Sequence, residues 1–228
     1  HEKRIGDRLF TWYFIRPIDA FIAMSDTVYK DIDKFNKTKP RKLCPHPLYD
    51  NFGEKVDKLQ AKKHLGLDPE IDYSLFFGFI RNYKGLDLAI KAFAEEGLRG
   101  SGKKLLIAGE FYSDETYYRN LIKELGIANQ LELRTEFIAD DEVKYYFSAA
   151  DIVVQPYKTA TQSGISQIAY HFNKPMIVTN VGGLPEIVPN GKVGFVVEKD
   201  SAEIAQAILR FYDNHLEKKF EEGIAVEK

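Results

Sequence analysis

The sequence contains a single cysteine, Cys44. One thiol excludes an intrachain disulfide framework and any cysteine-based zinc cluster, and it points to a reducing compartment. No apolar run approaches the roughly 18 residues needed to span a bilayer. No charged-then-apolar leader is visible. Neither sign of charge dominates, with 32 Lys and Arg against 34 Asp and Glu for a net charge of −2. That balance disfavours a dedicated nucleic-acid binder. No G-x-G-x-x-G follows an apolar run, so a dinucleotide site of the usual kind loses its best sign. What the chain does have is apolar material: 228 residues at 44% hydrophobic and 13% aromatic, enough to build a core and too much for disorder. This length fits one to two domains. The first residue is His1 rather than Met, which reads as a cut through a longer protein.

Charge is uneven along the chain. Residues 1–50 carry +3 and the remainder −5, with a basic cluster at Lys34–Lys42. Phe10–Ile15 reads as a helix end, and Ala20–Met24 as a short buried strand. Ser25 is placed to cap a helix through about Phe35. Pro45-His-Pro47 forces extended backbone, and the linker is placed between about 45 and 58. Beyond it strand and helix alternate. Expected strands are Ser74–Gly78, Lys104–Ala108, Leu131–Arg134, Ile152–Gln155, Pro175–Thr179 and Phe195–Val197. Expected helices are Leu86–Glu96, Glu115–Leu125, a segment from Asp140 through Ala150, Ser163–Phe172, a turn at Leu184–Val188, and Ser201–Tyr212. This rhythm implies an α/β fold with a doubly wound, Rossmann-like parallel sheet.

In such a sheet ligands bind at the carboxyl ends of the strands. The segments there are Gly78–Gly85, Gly109-Glu-Phe111, Phe137–Asp140, Pro156–Gly164 and Asn180–Glu186. Arg81 and Lys84 put two cations after the first of these strands, suited to a diphosphate. Thr161-Gln-Ser-Gly164 opens a helix, whose amides and dipole favour an anion. Gly182-Gly-Leu-Pro-Glu186 makes a close-approach turn. Other motifs carry less. Gly97–Lys104 matches G-x4-G-K but follows a helix and has Lys104 where a magnesium-binding hydroxyl belongs. Asp31-Ile-Asp33 sits inside a helix. His46 and His171 have no spacing of metal ligands, and Ser163 lacks a G-x-S-x-G elbow.

Phe77-Gly-Phe-Ile-Arg-Asn-Tyr-Lys-Gly85, Leu106-Ile-Ala-Gly-Glu110, Ser148-Ala-Ala-Asp-Ile-Val-Val-Gln-Pro156 and Lys174–Val188 together resemble the donor half of retaining GT-B glycosyltransferases of the group 1 family, which carry an E-x7-E signature. The resemblance covers roughly residues 43–213. It implies two Rossmann-like domains with the active site between them, the carboxyl-terminal one binding a nucleotide sugar. Residues 1–50 would be a remnant of the acceptor-side domain with its linker, and 51–228 the donor domain. By resemblance Lys84 contacts the donor diphosphate. The family's arginine position is held by Phe79, so Arg81 is the substitute. Phe137-Ile138 matches the loop that meets the nucleobase, and Thr161–Ile165 the loop around the first signature glutamate. Gly78, Gly109, Glu110, Thr161, Ser163, Gly164, Ile165 and Gln167 complete the donor set.

The signature positions fall at Ala160 and Ile168, so Gln162 and Gln167 stand in as neutral partners for donor sugar and ribose. The resemblance implies sugar transfer with retention and without a metal or cofactor. Arg81, Lys84 and the Thr161–Gly164 amides would stabilise the departing diphosphate. The acceptor would be a saccharide or lipid-linked saccharide. The setting would be cytoplasmic or the inner membrane face, with peripheral contact through the absent domain. A chain clipped at both ends would bind donor but not turn over alone. The alternatives are a non-catalytic nucleotide-sugar-binding module and a sugar-nucleotide 2-epimerase.

Overall fold

Short runs such as Leu75–Phe77 and Ile152–Val154 are apolar along their whole length, and only a sheet covered on both faces can bury them. The computed structural model describes residues 6–228, so His1, Glu2, Lys3, Arg4 and Ile5 lie outside it. The chain begins with α1 (Asp7–Ile15), β1 (Phe21–Ala23), α2 (Asp26–Asp31) and β2 (Arg41–Leu43). Then come α3 (Lys58–His64), β3 (Tyr73–Phe77), α4 (Leu86–Ala94), β4 (Lys104–Ala108), α5 (Glu115–Leu125) and β5 (Leu131–Arg134). The rest is α6 (Val143–Ala149), β6 (Ile152–Gln155), α7 (Gly164–His171), β7 (Met176–Thr179), α8 (Leu184–Ile187), β8 (Gly194–Val197), α9 (Ser201–Asp213) and α10 (Glu217–Glu227).

Six strands form one parallel sheet in the order β5-β4-β3-β6-β7-β8. Leu75 on β3 sits beside Leu106 on β4 and Val153 on β6. These three enter one apolar layer with Phe147 and Phe172, while Phe76, Ile107 and Val154 enter the other with Phe93 and Ile208. Successive residues thus serve opposite faces, as the strand period of two requires. The doubly wound α/β expectation holds. Strand order reverses between β3 and β6, which opens a crevice at their carboxyl ends. Among the described residues no helix is long and apolar enough to cross a membrane.

Three local readings need correction. The Ala20–Met24 run is not a buried strand: β1 pairs only with β2, and Ile22 is 73% exposed. Helix α3 was not anticipated. Asp57 caps it by accepting from Gln60 N–H at 3.0 Å, but the helix buries only Ala61 and the stem of Lys62. The Lys62 ammonium donates to the carbonyls of Pro69 and Ile71 at 2.8 and 2.7 Å, a burial that hydropathy does not show. Helix α10 was also unforeseen, because Phe220 and Ile224 are its whole buried stripe.

The small β1-β2 sheet is tied to the large one through α8. The Glu186 carboxylate accepts the N–H groups of Asp26 at 2.7 Å and Thr27 at 3.0 Å, two orphan donors in the first turn of α2. Ser25, as expected, takes a third from Val28 at 3.3 Å. Glu186→Ala is expected to speed hydrogen exchange at Asp26 and Thr27 and to cost about 1 kcal/mol, the usual size of a cap. Unchanged exchange at those two amides would contradict this.

Candidate functional site

The turn after β3 decides where its cations go. Asn82–Lys84 closes a single 3-10 turn, with Gly85 beyond it in the left-handed region. That turn folds Lys84 back over the end of its own strand. Its ammonium lies 3.0 Å from where a β-carbon on Gly78 would stand, and Ile165 Cδ1 lies 3.2 Å from the same point. The Tyr157 ring centroid is 5.8 Å from it. Lys84 is only 8% exposed. Burial, with Arg81 adding repulsion, lowers its pKa to about 8. No carboxylate among the described residues offsets that burial, so Lys84 stands as an uncompensated buried cation. Arg81 stays exposed, its guanidinium 5.3 Å over the Tyr112 ring. Tyr112 in turn touches the Phe79 ring at 4.6 Å. Phe79, at the position expected to be arginine, therefore props up the neighbouring arginine.

The opposite wall is the start of α7. Ser163 occupies the N-cap position with extended backbone, yet its side chain caps nothing. Its hydroxyl instead donates to Gln155 Oε1 at 2.7 Å. Among the described residues, the first-turn amides of Gly164, Ile165 and Ser166 have no side-chain acceptor, at the positive end of the helix dipole. The Ile165 side chain and the Lys84 ammonium both close on Gly78, at 3.2 and 3.0 Å from the place of its missing β-carbon. A buried ammonium and an uncapped helix start thus face one crevice at the switch point, a pairing suited to a phosphate or diphosphate.

The other expected residues distribute around this centre. Gly109 packs on Gly78, since a β-carbon on it would fall 2.5 Å from the Gly78 carbonyl oxygen. The Glu110 carbonyl accepts Ile80 N–H at 2.8 Å. Gly183 approaches the Thr161 carbonyl in the same way, which draws the loops after β6 and β7 together. Gln162 is partly exposed in the loop before α7. Gln167 lies on the face of α7 turned to the linker, where it lines a cavity of about 320 Å³ with His46, Tyr170 and Glu186. Phe137 is 70% exposed beyond the edge strand β5, and Ile138 is half-buried beside it. Ala160 and Ile168, at the signature positions, are both buried and apolar. His46 and His171 hold backbone carbonyls, of Pro47 at 3.0 Å and Gly53 at 2.7 Å. Sequence reasoning overlooked Tyr157, Tyr112 and Gln155. Only Gln155 left a trace there, as a polar residue ending an otherwise apolar strand.

The Lys84 environment sets a pH dependence. Affinity for inorganic pyrophosphate should fall as pH rises past about 8, where the ammonium loses its proton. Fold stability should move the other way. The native lysine holds its proton less tightly than the unfolded one at 10.5, so the unfolded chain keeps the extra proton between these values and stability rises with pH across them. Lys174, lowered to about 8 by its own burial, adds to that trend. Calorimetry across roughly pH 7 to 10 checks both directions; affinity that is flat or rises with pH would count against Lys84 as the anion's partner.

Comparison with known proteins agrees with this arrangement. Residues 72–214 match the family model described as Glycosyl transferases group 1. A D-inositol 3-phosphate glycosyltransferase of Corynebacterium aurimucosum is 29% identical over 150 residues, covering 63% of this chain and 35% of that protein. The lipopolysaccharide core biosynthesis mannosyltransferase LpsB of Rhizobium meliloti is 25% identical over 207 residues, covering 89% of this chain and 58% of that protein, so the chain spans about a third to three fifths of the length of these relatives. Sucrose-phosphate synthase from Thermosynechococcus elongatus superposes with a TM-score of 0.81 at 21% identity, over 98% of this chain and 58% of that one. Anabaena HepE, solved in complex with UDP and glucose, gives 0.78 at 18% identity over 96% and 61%. The family match spans more than half of the chain, and the sheet order and neighbours share one architecture: this chain belongs to the group 1 glycosyl transferases and carries the carboxyl-terminal, Rossmann-like half of their GT-B fold.

Proposed function

We propose that the crevice between β3 and β6 binds the diphosphate of a nucleotide sugar, and that the protein containing this domain transfers the sugar with retention. The observation that carries this reading is Lys84: a buried ammonium without a carboxylate partner, beside the uncapped start of α7. Its support comes also from the family match and from HepE, a neighbour of the same fold crystallised with UDP and glucose.

In the transfer the bond from the anomeric carbon to the diphosphate breaks, and negative charge gathers on the departing oxygen. Lys84, Arg81 and the amides of Gly164 and Ile165 are aimed at that charge, and preorganised donors of this kind supply much of a transferase's rate. The cations substitute for a metal, so binding should survive a chelator. Gln162 would meet the donor sugar, and Gln167 the ribose as the linker closes over it. The remnant at 1–50 would belong to the acceptor side, which receives a saccharide or lipid-linked saccharide. Titration of UDP, GDP and ADP by calorimetry, with and without EDTA, tests the reading. Micromolar-range binding of one of them that is insensitive to EDTA is expected; binding that requires added magnesium would overturn metal independence.

One observation favours a second reading. Ala160 and Ile168 leave both signature positions without an acid, which suits a module that binds nucleotide sugar without turnover. A transfer assay on the protein that contains this domain separates the two.

A further inference from the structure

Strand β6 reads Ile152-Val-Val-Gln155, and its one polar residue is 1% exposed. Gln155 Oε1 accepts two hydroxyls, from Ser163 at 2.7 Å and Ser166 at 3.1 Å. Because Ser163 gives its proton to Gln155, the Tyr157 hydroxyl 3.2 Å away donates to Ser163 Oγ. The Ser163 hydroxyl is thereby held toward β6, away from the amides of its own helix, with its proton on Gln155 and one lone pair on Tyr157. The far nitrogen of the Gln155 amide finds no partner among the described residues. If the amide is turned about, its nitrogen donates to both hydroxyl oxygens and the far oxygen goes unpaired, so either orientation withdraws Ser163. Packing alone would favour a valine there, as at the two preceding positions.

The consequence falls on the helix start. A serine at an N-cap ordinarily accepts from the amide of the second or third helical residue, here Ile165 or Ser166. Ser163 makes no such bond. Those amides stay open at the start of the helix whose Ile165 side chain, like the Lys84 ammonium, closes on Gly78. We propose that Gln155 is a positioning residue of the donor site: it keeps Ser163 from capping its own helix, so that the first-turn amides of α7 remain free to receive the donor diphosphate. This rests on the diphosphate reading of the same crevice.

The test uses the chain with Gln155→Leu, Ser163→Ala and both substitutions together. In Gln155→Leu the released Ser163 hydroxyl should cap the helix, which slows hydrogen exchange at the Ile165 or Ser166 amide and weakens UDP binding about tenfold, the value of one charge-assisted hydrogen bond. Adding Ser163→Ala should restore both fast exchange and affinity, which a merely structural defect would not allow. Gln155→Met, closer in volume, serves where the leucine variant does not fold. Exchange unchanged in the single variant overturns the proposal, and so does a double variant that stays as weak as the single. If wild-type protein binds none of UDP, GDP or ADP while the exchange pattern behaves as expected, the diphosphate reading fails and the restraint on Ser163 stands.

Discussion

In the protein that contains this domain, Lys84→Ala should lower the rate of sugar transfer by roughly 10²–10³-fold, the usual effect of removing one preorganised donor aimed at developing charge. The same change should weaken nucleoside diphosphate binding by about 1–3 kcal/mol. Two features make the effect large. Lys84 is buried, so its charge is little screened by water and loses its worth only when the proton leaves. Among the described residues no carboxylate shares that charge, which leaves it available to an anionic ligand. Charge grows on the diphosphate as the glycosidic bond breaks, so kcat should fall further than affinity does. Lys84→Arg should not rescue activity. The ammonium already sits 3.0 Å from the site of a β-carbon on Gly78, with Ile165 at 3.2 Å, and a planar guanidinium needs more room. Steady-state kinetics with the donor varied, alongside calorimetry, separates the two losses; a variant with near-normal kcat and raised KM alone would move Lys84 from catalysis to simple binding.

The second large effect concerns stability. Gly85→Ala should cost about 2–5 kcal/mol, combining a disfavoured backbone region with a direct overlap. Gly85 has φ near +70°, and a β-carbon there would fall 1.9 Å from the Pro156 carbonyl oxygen. That oxygen is backbone on the far side of the switch point, so it can yield only if the loop after β6 moves away from the loop after β3. Gly66 provides the control. It has a similar φ of +64°, but a β-carbon there meets nothing within 4 Å. Gly66→Ala should cost only about 1–2 kcal/mol, the conformational part alone. Urea unfolding of both variants measures the difference; equal losses would mean that the two loops are not held against each other.

Why some of this was readable in the sequence, and some not, has physical causes. The strands declared themselves because the inner strands of a parallel sheet need apolar runs, and Leu105–Ala108 and Ile152–Val154 are such runs, while the edge strand Leu131–Arg134 alternates apolar and charged residues. The carboxyl ends of those strands then named the loops of the site before any coordinate was needed. Helices α3 and α10 escaped because each buries very little: Ala61 and a lysine whose ammonium donates to two carbonyls in one, and Phe220 with Ile224 in the other. Arg81 and Lys84 were visible as residue types, but their division of labour was not. Only the 3-10 turn at Asn82–Lys84 shows that one cation is buried and the other stacks on Tyr112. Gln155 was harder still. Its significance lies in what Ser163 is kept from doing, and the absence of a bond has no signature in sequence. Gln167 was legible as polar and near the signature, but its direction depended on which face of α7 meets the linker.

The most direct test of the central claim is a crystal structure of this chain with UDP. The diphosphate should lie in the crevice between β3 and β6, within hydrogen-bonding distance of Lys84 Nζ and of at least one amide among Gly164, Ile165 and Ser166. A diphosphate seated elsewhere, for instance in the cavity lined by His46, Gln167 and Glu186, with Lys84 left untouched, would contradict it.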